Sequence, residues 1–118
     1  MPQTSGRPRR ALIVGDSAGN VARRLAREVG PDGLLICLDG DRDAARRAAD
    51  AFAREGVSGH ASVMIGDPAL FIRKVAGPFD LIAVLVDDTA AARVEPHLAR
   101  LLAPGGRVIR GDDDAGLG

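Results

Sequence analysis

Short apolar runs alternate with longer amphipathic segments along most of the 118-residue chain. The runs at 12–14, 34–38 and 79–86 are almost wholly apolar, which is typical of strands buried on both faces of a parallel sheet. The run at 61–65 alternates apolar with polar residues, and this pattern favours a strand at the edge of the sheet. A shorter run at 107–110 predicts a fifth strand.

Apolar residues recur at helical spacing in the segments between these runs. Val21, Leu25 and Val29 occur at every fourth position and predict a first helix over 20–29. The alanine-rich segment 41–55 predicts a second helix, which begins at a favourable N-cap aspartate and ends before a glycine.

Acidic residues and prolines mark the last two helices. A short third helix is expected after Asp67-Pro68, because Asp is favoured at the N-cap and Pro at the first helical position. The fourth helix follows Asp87 and extends to Leu102, and Pro96 is expected to kink or restart it.

Five strands that alternate with four short-looped helices predict an α/β fold with a mainly parallel sheet. Right-handed crossovers place helices on both faces and give a three-layer α/β domain. We expect the strand order 3-2-1-4-5, with the reversal of winding between strands one and four. The turn after strand one, at Gly15, then lies at the switch point where such sheets bind ligands.

Composition limits the class of protein. The chain is 46% hydrophobic and 27% charged with a formal net charge of zero, which is typical of one globular domain and argues against a nucleic-acid partner. No apolar run is long enough for a membrane span, and the N-terminus lacks an apolar signal core, so we expect a cytoplasmic protein. We predict a domain over 10–111, a disordered tail over 1–9 and an acidic tail over 112–118.

The cysteine and histidines give no catalytic constellation. Cys37 is the only cysteine and lies within a predicted strand, so a buried structural thiol is expected. His60 and His97 have no acid or nucleophile at a recognisable spacing and receive no role.

Five signals occur in a fixed order along the chain. A strand ends in the small-residue turn of 15–19, Asp39 closes strand two, Gly66-Asp67 follows strand three, Gly77-Pro78-Phe79-Asp80 opens strand four, and Pro104-Gly105-Gly106 precedes strand five. Together they resemble the Rossmann-like S-adenosylmethionine-dependent methyltransferases. They are most similar to the small O-methyltransferases that act on catechol or caffeoyl-CoA-type substrates. The resemblance covers about residues 11–110, and the chain stops soon after strand five, where this family normally continues.

The resemblance implies S-adenosylmethionine as cofactor and assigns it a set of residues. The loop around its methionine part would comprise Gly15, Asp16, Ser17 and Gly19. Asp39 matches the acid that accepts hydrogen bonds from the ribose hydroxyls. Gly66 and Asp67 match the segment that meets the adenine. The sequence departs from the family at Ser17, which replaces a glycine, and at Ile13, which replaces an acid.

The catalytic part of the family pattern is largely absent. Metal-dependent members carry an Asp at the end of strand four and an Asp-Asn pair after strand five, and the matching positions here are Leu85, Gly111 and Asp112. One carboxylate does not hold a magnesium-type ion, so no metal is expected and no catalytic residue is assigned.

Two functions remain open. The first is an S-adenosylmethionine-binding, methyltransferase-like domain, an O-methyltransferase relative with a degenerate catalytic site, whose methyl acceptor is a small molecule or is presented by a partner. The alternative is a non-enzymatic Rossmann-like module that has lost the cofactor and acts in protein assembly. Strand five is then either an edge that the charges of Arg107 and Arg110 protect, or the contact of a homodimer.

Two other ligand-binding folds fit less well. A receiver-like signalling domain would need a lysine after its last strand, whereas the only lysine is Lys74. A nicotinamide-binding turn would need glycines at Ser17 and Asn20.

Overall fold

The computed structural model describes residues 9–110, in which strands and helices alternate throughout. The strands are β1 (Arg10–Val14), β2 (Leu34–Asp39), β3 (Ala61–Ile65), β4 (Phe79–Val84) and β5 (Leu102–Arg110). The helices are α1 (Asn20–Val29), α2 (Arg42–Arg54), α3 (Pro68–Phe71) and α4 (Asp88–Leu101). The two predicted tails lie outside the described residues, except for Arg9.

The sheet has the predicted topology. Its order is β3-β2-β1-β4-β5, and every neighbouring pair is parallel. The chain winds from β1 towards β3 and then crosses back to β4 on the other side of β1. The winding direction therefore reverses between β1 and β4, and this switch point lies beside the turn at Gly15.

Helices cover both faces of the sheet, and each face has its own apolar core. Helices α1 and α2 pack on one face, where Leu25 and Phe52 meet Ile13, Leu35 and Cys37. Helices α3 and α4 pack on the other face, where the second core consists of the following buried apolar residues: Leu12, Val14, Leu38, Ile72, Val75, Phe79, Ile82, Val84, Val94, Leu98 and Leu101. Both faces of β1 are thus buried, which explains its continuous apolar run.

Three helices begin at aspartate N-caps. Asp41 accepts a hydrogen bond from Ala44 N (3.1 Å), and Asp87 accepts one from Ala90 N (2.9 Å). Asp67 caps α3, and Pro68 occupies its first turn. These caps satisfy backbone donors that a helix start otherwise leaves without partners, and they confirm the predicted helix starts.

One predicted boundary on the β4 side of the sheet was wrong. Strand β4 ends at Val84 rather than at residue 86. Helix α4 continues through Pro96 to Leu101, so it does not restart there, and a kink at Pro96 stays a prediction. Pro96 has no N–H group, so the carbonyl group of Ala92, four residues earlier, lacks its helical hydrogen-bond donor. Ala92 and Pro96 are both exposed, and water can donate to this carbonyl group instead.

Strand β5 is longer than predicted and irregular. Phe79 pairs with Leu102 and Leu81 with Arg107, so two positions along β4 correspond to five along β5. The Pro104-Gly105-Gly106 segment therefore forms a bulge within the strand, rather than a turn before it. Gly105 permits this bulge because its φ is 80°.

No helix within residues 9–110 is long and apolar enough to cross a membrane.

Candidate cofactor site

The loops that follow β1, β2, β3 and β4 meet at one edge of the sheet, and backbone hydrogen bonds connect them. Gly15 N donates to Leu38 O (2.7 Å), and Gly66 N donates to Asp39 O (2.9 Å). Leu85 N donates to Val14 O (2.8 Å). These bonds continue the parallel ladders beyond the strands and hold the predicted loops side by side.

The turn after β1 requires glycine at its first position. Gly15 has a φ of 88°, in the left-handed region that side chains disfavour. A Cβ atom there would lie 2.6 Å from Val86 Cγ1 and 2.9 Å from Leu85 O, so the backbone packs directly against the end of β4. Asp16 follows with a φ of 48°. The chain thus reverses sharply between β1 and α1.

Asp39 anchors this turn to the end of β2. Its Oδ2 atom accepts hydrogen bonds from Ser17 N (3.0 Å) and from the Ser17 hydroxyl (2.5 Å). Its Oδ1 atom accepts one from Asp41 N (2.9 Å). Ser17 is fully buried, and Asp39 is only 5% exposed. A buried carboxylate requires such donors, because leaving it without them is costly.

Helix α1 begins at the same turn without a side-chain cap. Its N-cap residue is Gly19, which cannot supply an oxygen to the first backbone N–H groups. The Asp16 carboxylate lies across the turn, with Oδ2 only 2.5 Å from the point where a Cβ on Gly19 would stand. A helix start whose N-cap residue supplies no side-chain acceptor, together with the positive end of the helix dipole, favours negatively charged ligand groups.

The loop after β3 forms the far side of the site. Gly66 has a φ of 153°, and the ring of Phe71 occupies the space where its side chain would be. Asp67 is exposed and accepts a hydrogen bond from Ala69 N (2.9 Å). Ile65 and Leu70, at 47% and 59% exposure, are the exposed large apolar residues of the described chain.

Sequence reasoning missed the exposed apolar residues beside this loop and the role of Gly40. A Cβ on Gly40 would stand 3.4 Å from Gly66 O, so the loops after β2 and β3 approach closely there. The sequence did contain a signal for these residues, because Ile65 and Leu70 flank the Gly66-Asp67 segment. Large apolar side chains on either side of a polar loop often line a ligand site.

The structure places every predicted cofactor residue at this one edge. Gly15, Asp16, Ser17 and Gly19 form the turn, Asp39 ends β2, and Gly66 and Asp67 follow β3. Whether these residues bind a ligand stays a prediction.

The residues after β4 do not fit a magnesium-type site. Leu85 packs against the α1 side of the core, and Asp87 serves as an N-cap. Within residues 9–110, no three His, Cys, Asp or Glu side chains form a group that could hold a metal ion. Gly111 and Asp112 lie outside the described residues.

Cys37 is a buried residue of β2, two positions before Asp39, and belongs to the core that β2 forms with helices α1 and α2. Burial raises the pKa of its thiol to about 12, and the charge of Asp39 contributes to the rise. The thiol is therefore protonated and is not a nucleophile at neutral pH.

A cavity of about 580 Å³ lies at the opposite edge of the sheet, beside the starts of β1 and β4. Arg10, Leu25, Asp80 and Arg107 are among the residues that line it, and none of the predicted cofactor residues does. We place the candidate site at the carboxyl edge of the sheet, where the loops that follow the strands meet, because the switch point and the buried carboxylate of Asp39 lie there.

No protein-family model matches the chain, and it has no sequence match among the curated proteins searched. Solved structures do match. Cofactor-bound Rv0187 from MTB has a TM-score of 0.80 and 28% identity, over 86% of this chain and 47% of that one. The O-methyltransferase TomG from Streptomyces achromogenes, involved in tomaymycin synthesis and solved with S-adenosylmethionine, has a TM-score of 0.80 and 26% identity, over 86% and 48%.

A third match supports the fold alone. The Bacillus cereus O-methyltransferase, solved with S-adenosylhomocysteine, has a TM-score of 0.76 and 22% identity, over 93% of this chain and 55% of that one. The chain spans about half the length of each of these three structures. It therefore has the Rossmann-like fold of the S-adenosylmethionine-dependent methyltransferases, and among them it resembles the O-methyltransferases.

Proposed function

We propose that this chain is an S-adenosylmethionine-binding domain of the O-methyltransferase type. The observation that carries the proposal is the position of Asp39. Its nearly buried carboxylate ends β2 directly beside the Gly15 turn, at the switch point of the sheet. The structural neighbours that contain this cofactor or its product add support.

Each part of the cofactor has a complementary group at this edge. The Asp39 carboxylate would accept a hydrogen bond from the ribose. The uncapped start of α1 would bind the carboxylate of the methionine part, and the nearby Asp16 would attract its ammonium group. Asp67, together with the apolar side chains of Ile65 and Leu70, would border the adenine.

Bound S-adenosylmethionine would supply an electrophilic methyl group. We propose a small molecule, or a group presented by a partner, as its acceptor. No residue of the described chain is assigned as a catalytic base, and Leu85 leaves the end of β4 without the ligand that metal-dependent relatives carry there. The proposal is thus an O-methyltransferase relative with a degenerate catalytic site.

Calorimetric titration of the purified chain with S-adenosylmethionine and S-adenosylhomocysteine tests the proposal. We expect saturable binding, with Kd values in the micromolar range, about −8 kcal/mol. Asp39→Asn should weaken binding at least tenfold, because the amide offers fewer acceptor sites. Asp50→Asn is the matched control, since Asp50 is an exposed acid on α2. The absence of saturable binding at millimolar ligand would refute the proposal.

Failure of cofactor binding would favour the alternative, a module that acts in protein assembly. Strand β5 is an edge strand; in its last segment Val108 is partly buried and Ile109 buried, between the exposed Arg107 and Arg110. An edge strand offers backbone groups to a second copy. The alternative predicts a homodimer in light scattering that Val108→Pro dissociates, and a monomeric wild-type chain would exclude this contact.

A further inference from the structure

Hydrogen bonds within the protein already occupy most of the acceptor sites of the Asp39 carboxylate. A carboxylate has about four acceptor sites. Ser17 N and the Ser17 hydroxyl occupy two on Oδ2, and Asp41 N occupies one on Oδ1. One acceptor site remains, on Oδ1. A ribose, in contrast, has two adjacent hydroxyl groups to donate.

We propose that the Ser17 hydroxyl determines how the site recognises ribose, by competing with one ribose hydroxyl for Asp39. The inference rests on the proposed function. In the wild-type chain, one ribose hydroxyl binds the remaining site on Oδ1, and the second finds Oδ2 occupied. Ser17 therefore selects nucleosides through a single hydroxyl and lowers their affinity.

The geometry makes this competition effective. The Ser17 hydroxyl is fully buried and donates to Asp39 Oδ2, so solvent does not compete for this bond. The neighbouring backbone bond from Ser17 N to the same oxygen fixes the serine in place. Removal of the hydroxyl alone would free one acceptor site while the backbone bond keeps the turn attached to β2.

The test compares wild type and Ser17→Ala with three probes: S-adenosylhomocysteine and its 2′-deoxy and 3′-deoxy analogues. We expect Ser17→Ala to bind S-adenosylhomocysteine about tenfold more tightly, because the ribose then supplies the missing donor. Wild type should lose affinity for only one of the deoxy analogues, whereas Ser17→Ala should lose affinity for both. Ser58→Ala, at an exposed serine outside the site, should match wild type.

The outcomes separate the inference from the proposed function. If wild type binds and Ser17→Ala binds equally or more weakly, the inference is wrong and the proposed function stands. If Ser17→Ala gains affinity equally for all three probes, ribose competition is also wrong. If neither chain binds any probe, both fail. Should Ser17→Ala not fold, Ser17→Cys retains a similar side chain with a weaker donor, and an affinity at or below wild type would overturn the inference.

Discussion

Asp39→Asn tests directly whether this carboxylate holds the turn after β1 to the sheet. The three donors on Asp39 are Ser17 N, the Ser17 hydroxyl and Asp41 N. An asparagine has one acceptor oxygen, and its NH₂ group faces a donor whichever way the amide is oriented. At least one of the three hydrogen bonds is therefore lost.

The expected loss follows from these contacts. A hydrogen bond to a charged group contributes about 1.5–3 kcal/mol. Ser17 and Asp39 are buried, so water cannot replace the two Ser17 bonds, whereas the bond from Asp41 N is only partly buried. We expect Asp39→Asn to lower the free energy of unfolding by about 2–3 kcal/mol. For a domain of this size, that change corresponds to a Tm decrease of about 8–12 °C.

Urea denaturation followed by circular dichroism, together with calorimetric melting, measures both quantities. Asp50→Asn removes the same charge from an exposed helix position and should stay within about 0.5 kcal/mol of wild type. An Asp39→Asn chain as stable as that control would refute the anchoring role.

Three further predictions concern core packing, backbone conformation and the pH dependence of stability. Phe52→Ala should cost about 3–5 kcal/mol in urea denaturation, because Phe52 is only 2% exposed, whereas Leu70→Ala, at 59% exposure, should be nearly neutral. Gly15→Ala should destabilise by more than 1 kcal/mol through its φ and its contact with β4, while Gly59→Ala, with nothing within 4 Å, should not; equal melting temperatures would contradict this. The pKa of the Cys37 thiol is higher in the folded chain than in the unfolded chain. The buried, protonated thiol therefore stabilises the fold fully below about pH 9, and this stabilisation is lost as the pH rises towards 12. Cys37→Ala should make the free energy of unfolding depend less on pH in this range, and an unchanged slope would contradict the raised pKa of Cys37.

The strand order could be predicted because local patterns determine it. Continuous apolar runs identified β1, β2 and β4 as buried strands, and the alternating run at 61–65 placed β3 at an edge. The aspartate caps of α2, α3 and α4 were visible as Asp followed by helix-forming residues. These features depend on neighbours along the chain, which a sequence displays.

The missed features depend on contacts between distant segments. The bulge in β5 arises because β4 pairs on both sides of it, and local signals at Pro104-Gly105-Gly106 indicate only a turn. The bond between Ser17 and Asp39 joins residues 22 positions apart. The sequence places Ser17 in the predicted cofactor loop, as a departure from the glycine of the family, but gives no partner for its hydroxyl. Its burial against a carboxylate follows from the tertiary structure alone.

The central claim is that S-adenosylmethionine binds at the carboxyl edge of the sheet, between the Gly15 turn and the end of β2. Titration of the ¹⁵N-labelled chain with S-adenosylhomocysteine, followed by amide NMR shifts, tests it most directly. The account predicts saturable shifts at Gly15, Ser17, Gly19, Gly40 and Gly66, with little change at Gly59. Saturable shifts confined to the cavity at the opposite edge, around Leu81 and Arg107, or no shifts at all, would contradict it.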